Sequence, residues 1–107
     1  MQNSPPGYTR VCPYLLYEDA SRAVEYLTAT FGFVQRLEQT GAAGRIHREL
    51  LLGEDGLVML GQAGESFKSP RRLDAYPSVL IHFYVDDVEA LHGRAKAAGA
   101  DVTELET

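Results

Sequence analysis

The chain has no tryptophan and a single cysteine, Cys12, in 107 residues. One cysteine excludes an internal disulfide and a cysteine-rich zinc site, so nothing asks for an oxidising compartment and the cytoplasm is the expected location. Runs of basic residues are also missing. Ten Lys and Arg stand against 15 Asp and Glu, a formal net charge of −5, which argues against nucleic acid as a partner. No apolar run nears the ~20 residues of a membrane-spanning helix, and Met1–Arg10 (MQNSPPGYTR) lacks the apolar core of a secretory signal. No phosphate-cradling glycine loop and no Ser-His-Asp arrangement is present.

What remains is the composition of an ordinary globular domain, 45% hydrophobic and 23% charged, long enough for one modest core. Its clearest local signal is Ser78–Gly99, SVLIHFYVDDVEALHGRAKAAG. Val79, Ile81, Phe83 and Val85 alternate with Leu80, His82 and Tyr84, the period of a strand with one strongly apolar face. Behind Asp86-Asp87 the period changes: Val88, Leu91, His92, Ala95 and Ala98 recur at helical spacing up to a Gly99 stop.

The same unit occurs earlier. An offset of 67 residues lays Tyr84 on Tyr17, Asp86 on Asp19, Leu91 on Val24 and Gly99 on Gly32. Each Asp then sits at a helix N-cap and each Gly at a left-handed stop, so two copies of one supersecondary module are expected.

In order, residues 1–10 read as a flexible N-terminal arm and residues 11–61 as a first βαβββ module. Its first strand is expected over Val11–Glu18, with Val11, Leu15 and Tyr17 on one face and Cys12, Tyr14 and Leu16 on the other. Pro13 lacks a donor, so this strand either lies at an edge or leaves that ladder position open. The helix Asp19–Phe31 places Ala20, Ala23, Val24, Leu27 and Phe31 at core spacing. Strands are expected over Phe33–Thr40, Arg45–Leu52 and Leu57–Gly61, joined by Gly41-Ala42-Ala43-Gly44 and by Gly53-Glu54-Asp55-Gly56. Residues 62–77 read as a linker with a buriable Phe67 and the pair Arg71-Arg72, able to grip an anion. Residues 78–107 read as a second module that is incomplete, βαβ, with roughly twenty residues fewer than the first.

Alternation also sorts the chemistry. His47, Glu49 and Leu51 share a strand face opposite Ile46, Leu50 and Leu52, so the histidine and carboxylate face away from the helices. There they can bind a metal, serve as acid and base, or remain a partly solvated pair. His82, Tyr14 and Tyr84 lie on the corresponding polar faces and add aromatic area with a polar tip. If the modules pair around one cleft, His47, Glu49, His82 and Tyr84 converge.

The segments PYLLYEDASRAVEYLTATFGF, GRIHRELLLGEDGLVMLG, SPRR and YVDDVEALHGRAKAAGADV together resemble the vicinal oxygen chelate superfamily, which contains glyoxalase, bleomycin-resistance proteins and extradiol dioxygenases. The resemblance implies an α+β fold in which paired βαβββ modules form an open, curved mixed sheet around a cleft, commonly as a homodimer. It implies a small organic ligand bound by Tyr14, His47, Glu49, His82 and Tyr84, as in glyoxalase/bleomycin-resistance-like binding proteins. The alternatives are a metal-dependent isomerase, lyase or dioxygenase centred on Glu49, and a half-module that works only with a partner. The family's metal positions fall on Cys12, Glu49 and Leu80. Only Glu49 keeps an expected ligand type, and leucine cannot coordinate, so a divalent metal is not firmly implied and no tightly bound ion is expected.

Overall fold

The computed structural model describes residues 6, 8–40 and 46–105. β1 (Tyr14–Tyr17) leads into α1 (Ala20–Phe31), followed by β2 (Val34–Thr40), β3 (Ile46–Leu52) and β4 (Gly56–Gln62), then α2 (Pro70–Leu73) and α3 (Val88–Ala97). The strands form one sheet in the order β1-β4-β3-β2, with β1 parallel to β4 and the other pairs antiparallel. This is the α+β, βαβββ arrangement expected of the first half. The loop expected over residues 41–44 lies outside the described residues.

Local chemistry sets the boundaries. β1 is shorter than Val11–Glu18: the Pro13 carbonyl accepts from the Met59 N–H at 2.9 Å, and regular pairing begins with Tyr14 opposite Met59. Proline cannot donate in return, and β1 occupies a sheet edge, one of the two arrangements expected of it. Asp19 caps α1 by accepting from the Arg22 N–H at 3.1 Å, and Gly32 closes it at φ 80°, a conformation that glycine adopts without strain.

One sheet face packs under α1. Ala23, Phe33, Leu50, Val58 and Leu60 form the core, ringed by Leu15, Tyr17, Val24, Leu27, Phe31 and Leu52. Burying a leucine of this kind stabilises by about 1.5–3 kcal/mol. The same face carries a buried charge that the apolar pattern hides. The Arg48 guanidinium donates to Glu38 Oε1 at 2.9 and 3.2 Å and to Ser21 Oγ on α1 at 3.0 Å, which offsets its desolvation.

The second half departs from expectation. The strand predicted at Ser78–Asp86 does not form, and neither does one after Gly99: among the described residues no strand follows β4. The helix does form, because its signals are local. Its N-cap is Asp87 rather than Asp86, with Oδ1 accepting from the Ala90 N–H at 3.0 Å, and Gly99 follows at φ 91°.

α3 docks on α1 through Arg94, and Phe83, in the segment before α3, stands edge-on to Phe31 and Phe33. The Arg94 Nε donates to the Ala29 carbonyl at 2.9 Å and a terminal nitrogen to the Thr28 carbonyl at 3.1 Å. The last turn of α1 has no basic residue of its own, so Arg94 supplies the positive charge that its negative dipole end favours.

The linker is pinned rather than loose. Ser69 caps α2 and donates to Glu18 Oε2 at 2.6 Å, while Arg72 reaches Glu18 at 2.8 Å and Glu65 at 3.5 Å. Arg72 is thus committed to carboxylates. Ser69 first, then Arg72, hold the Glu18 carboxyl below its ordinary range. Phe67, expected to be buried, is 64% exposed. The radius of gyration is 15.0 Å, against about 13 Å for a compact domain of ~100 residues.

Candidate functional site

The sheet face away from α1 carries the polar groups. Direct pairing puts Glu49 opposite Met59 and Leu37, and His47 opposite Gly61 and Gln39. β2 has a bulge between Gln35 and Leu37, so Arg36 is the extra residue opposite Glu49. A bulge re-aims a side chain that strict alternation would send to the other face. Here it turns the Arg36 guanidinium onto Glu49 Oε1 at 2.9 Å.

Glu49, only 3% exposed, is the hub. Its Oε2 accepts from His47 Nε2 at 3.0 Å and from the Tyr8 hydroxyl at 3.1 Å. Burial pushes the Glu49 carboxyl up; the hydrogen bonds from His47, Arg36 and Tyr8, with the Arg36 charge, outweigh it and leave the carboxyl below its ordinary value. The Tyr8 phenol is pushed up in turn, chiefly by its bond to Glu49, and the Arg36 guanidinium lies 4.3 Å from the Tyr8 ring centre, a cation–π arrangement.

From His47 the network continues to β1. His47 Nδ1 lies 3.1 Å from Tyr14 Oη, and the two rings stand 5.4 Å apart at a tilt of 33°. Tyr14 reaches across β4 because Gly61 has no side chain. A Cβ there would sit 2.8 Å from Tyr14 Cε1 and Oη, closer than van der Waals contact permits. Leu16 and Met59 share this face with Tyr14 and give it an apolar floor.

Of the residues singled out in the sequence, Tyr14, His47 and Glu49 are brought together. His82 and Tyr84 are not. They pack edge-to-face on each other at 4.9 Å, and Tyr84 is 89% exposed. The expected convergence fails because their segment has no strand partner to carry it across the sheet. Cys12 lies before β1 and not on it, with its sulfur 3.0 Å from Thr9 Oγ1 and 3.3 Å from the Thr9 carbonyl. His92, expected on the inner edge of α3, donates from Nε2 to the Thr103 carbonyl at 2.8 Å.

Two members of the cluster were not visible in the pattern. Tyr8 lies in the stretch read as an arm. Arg36 falls on the wrong face by alternation, and only a bulge, which leaves no composition signal in QRLEQ, corrects it.

As a metal site the donors do not fit. Among the described residues no three His, Cys, Asp or Glu side chains are grouped to hold an ion. The arginine on Glu49 Oε1 occupies an oxygen that a cation would need, and Leu80, the third position implied by the resemblance, stands 91% exposed.

No protein-family model matches the chain, and no curated protein does. Among solved structures, TioX from Micromonospora sp. ML1 is 31% identical over 88% of this chain and 75% of its own, with a TM-score of 0.59. The fosfomycin resistance protein FosX from Mesorhizobium loti shares 17% identity over 94% of this chain and 76% of its own, with a TM-score of 0.65. FosX from Listeria monocytogenes, in a complex with Mn(II) and a sulfate ion, shares 14% over 94% and 78%, with a TM-score of 0.59. The FosX likenesses carry the fold alone. The TioX likeness adds sequence identity over most of both chains, and with the βαβββ sheet it shows that the chain belongs to the vicinal oxygen chelate superfamily.

Proposed function

We propose that this protein binds a small organic molecule on the open face of its sheet, in the manner of glyoxalase/bleomycin-resistance-like binding proteins, and that Tyr14, His47 and Glu49 form the site. Tyr8 and Arg36 position Glu49. The observation that carries this reading is the Glu49 network: a buried carboxylate orders two rings and a guanidinium beside an apolar floor. Small-molecule sites have this form, a mostly apolar surface with a few converging polar groups. The metal-dependent alternative loses ground on donor chemistry: the Mn(II) belongs to FosX, and His47 with Glu49 supplies two ligands where a divalent ion takes more.

The protein is further proposed to act in the cytoplasm as a homodimer. No described helix is long and apolar enough to cross a membrane. Val79, Leu80, Ile81 and Tyr84 are exposed in the strand-patterned segment before α3, which is able to take up a partner's sheet edge. His82 and Tyr84 are proposed to reach a ligand only in such an assembly. A monomeric mass by light scattering at high micromolar concentration overturns the dimer.

Gly61→Ala tests the site. The added methyl displaces the Tyr14 ring, so ligand affinity should fall by about tenfold while stability changes by less than about 1 kcal/mol, because an exposed ring can swing aside. Unchanged binding of a ligand found by thermal-shift screening removes Tyr14 from the site. Stoichiometric divalent metal surviving dialysis moves the reading to the enzyme.

A further inference from the structure

Building on the ligand-binding reading, we infer that Tyr14 meets the ligand as a hydrogen-bond acceptor, so that the site selects a planar aromatic molecule bearing an O–H or N–H donor. Glu49 Oε2 and Oε1 face three donors, and an ionised carboxylate only accepts. His47 therefore carries a proton on Nε2. In the neutral imidazole that leaves Nδ1 bare, and the group facing it, at 3.1 Å, is the Tyr14 hydroxyl. Tyr14 has one proton and donates it to His47. Its oxygen lone pairs remain, on a ring that is half exposed.

Shape points the same way as polarity. The Tyr14 and His47 rings are only 33° from parallel and Gly61 leaves no side chain between them and the sheet, so they offer a flat platform for an aromatic face. A ligand carboxylate placed there meets phenol lone pairs with the Glu49 charge behind them. A ligand hydroxyl or amine meets an acceptor whose direction is fixed through three residues. Glu49 is thus a positioning residue: it sets the His47 tautomer, and the tautomer sets what Tyr14 presents.

Two measurements test this. ¹⁵N NMR of histidine-labelled protein at about pH 8, where histidine is ordinarily neutral, should show His47 protonated at Nε2 and bare at Nδ1. A protonated Nδ1 in the neutral ring overturns the inference without reference to any ligand. Binding is then compared for naphthol, methoxynaphthalene and naphthoate. Naphthol should bind about tenfold tighter than its methyl ether, with naphthoate weakest, and Tyr14→Phe should erase the preference for naphthol over the ether. Equal affinity for naphthol and its ether overturns the acceptor role and leaves the ligand-binding reading standing. Absence of binding by all three overturns both.

Discussion

Residues 14–32 and 81–99 carry the same order of signals: an alternating apolar stretch, an aspartate, a helical period and a glycine. The first becomes a strand and a capped helix; the second becomes a capped helix preceded by an unpaired segment. A helix satisfies its own backbone, so Asp87, the apolar spacing and Gly99 suffice for α3. A strand is half a structure. β1 exists because β4 lies beside it, with Tyr14, Leu15, Leu16 and Tyr17 opposite Met59, Leu60, Gly61 and Gln62. Among the described residues, none after Gly99 forms such a neighbour for 78–86.

The contrast should appear first in stability. Leu60 and Leu80 are both leucines in strand-patterned segments, yet Leu60 is fully buried while Leu80 stands in solvent. Leu60→Ala should cost about 2–5 kcal/mol in urea denaturation. Leu80→Ala, in dilute solution, should stay within about 0.5 kcal/mol. Equal costs would mean that the C-terminal segment packs as the first unit does. A Leu80→Ala cost that grows with protein concentration places the dimer interface on residues 78–86.

Much of the first unit was readable because its strands are half-buried and its period clean. The faces of His47 and Glu49 follow from alternation alone, and Pro13, just before β1, is consistent with that strand's edge position. What was not readable has physical reasons. The bulge that turns Arg36 onto Glu49 is a backbone event with no composition of its own. Arg48 sits in an apolar face because Ser21 and Glu38, far away in sequence, satisfy it. Tyr8 belongs to a polar stretch and is held by a carboxylate 41 positions on and by the Arg36 guanidinium. His82 and Tyr84 were assigned to the cleft by a pattern that holds only if a strand forms.

The site offers a second, smaller test, since among the described residues the second unit has no counterpart of the Glu49 hub. Glu49→Gln should destabilise the fold by about 1–3 kcal/mol at neutral pH, because it weakens the bonds from His47, Arg36 and Tyr8. The sign of the pH dependence is fixed. The Glu49 carboxyl lies below its ordinary value in the fold, so its contribution is fully present above the unfolded value of about 4.3 and is lost as pH falls through the folded one. The gap between wild type and Glu49→Gln should narrow from pH 7 towards about pH 3, and Glu18, lowered by Ser69 and Arg72, should account for part of the remaining acid sensitivity. A gap of constant size would show that Glu49 acts by packing and not by charge.

The smallest expected effect bears on the repeat itself. The offset that superposes Gly99 on Gly32 lays Asp86 on Asp19, yet it is Asp87 that accepts from the Ala90 N–H. The second helix begins one residue later than the repeat implies, and it has 10 residues where the first has 12. β1 runs into its turn already held by β4, which fixes where α1 starts. The segment before α3 packs through Phe83 but has no strand partner to fix its register, so the helix takes whichever aspartate gives the better cap. Asp87→Ala should then cost about 1 kcal/mol locally, read as a roughly fivefold loss of amide-exchange protection in the first turns of α3, while Asp86→Ala leaves it unchanged. Asp19→Ala, at the equivalent place in the packed unit, should lower the midpoint of global unfolding instead, since α1 lies on the core. If Asp86→Ala rather than Asp87→Ala opens α3, the second unit keeps the register of the first, and its preceding segment is held in place by something that only a neighbouring chain can supply.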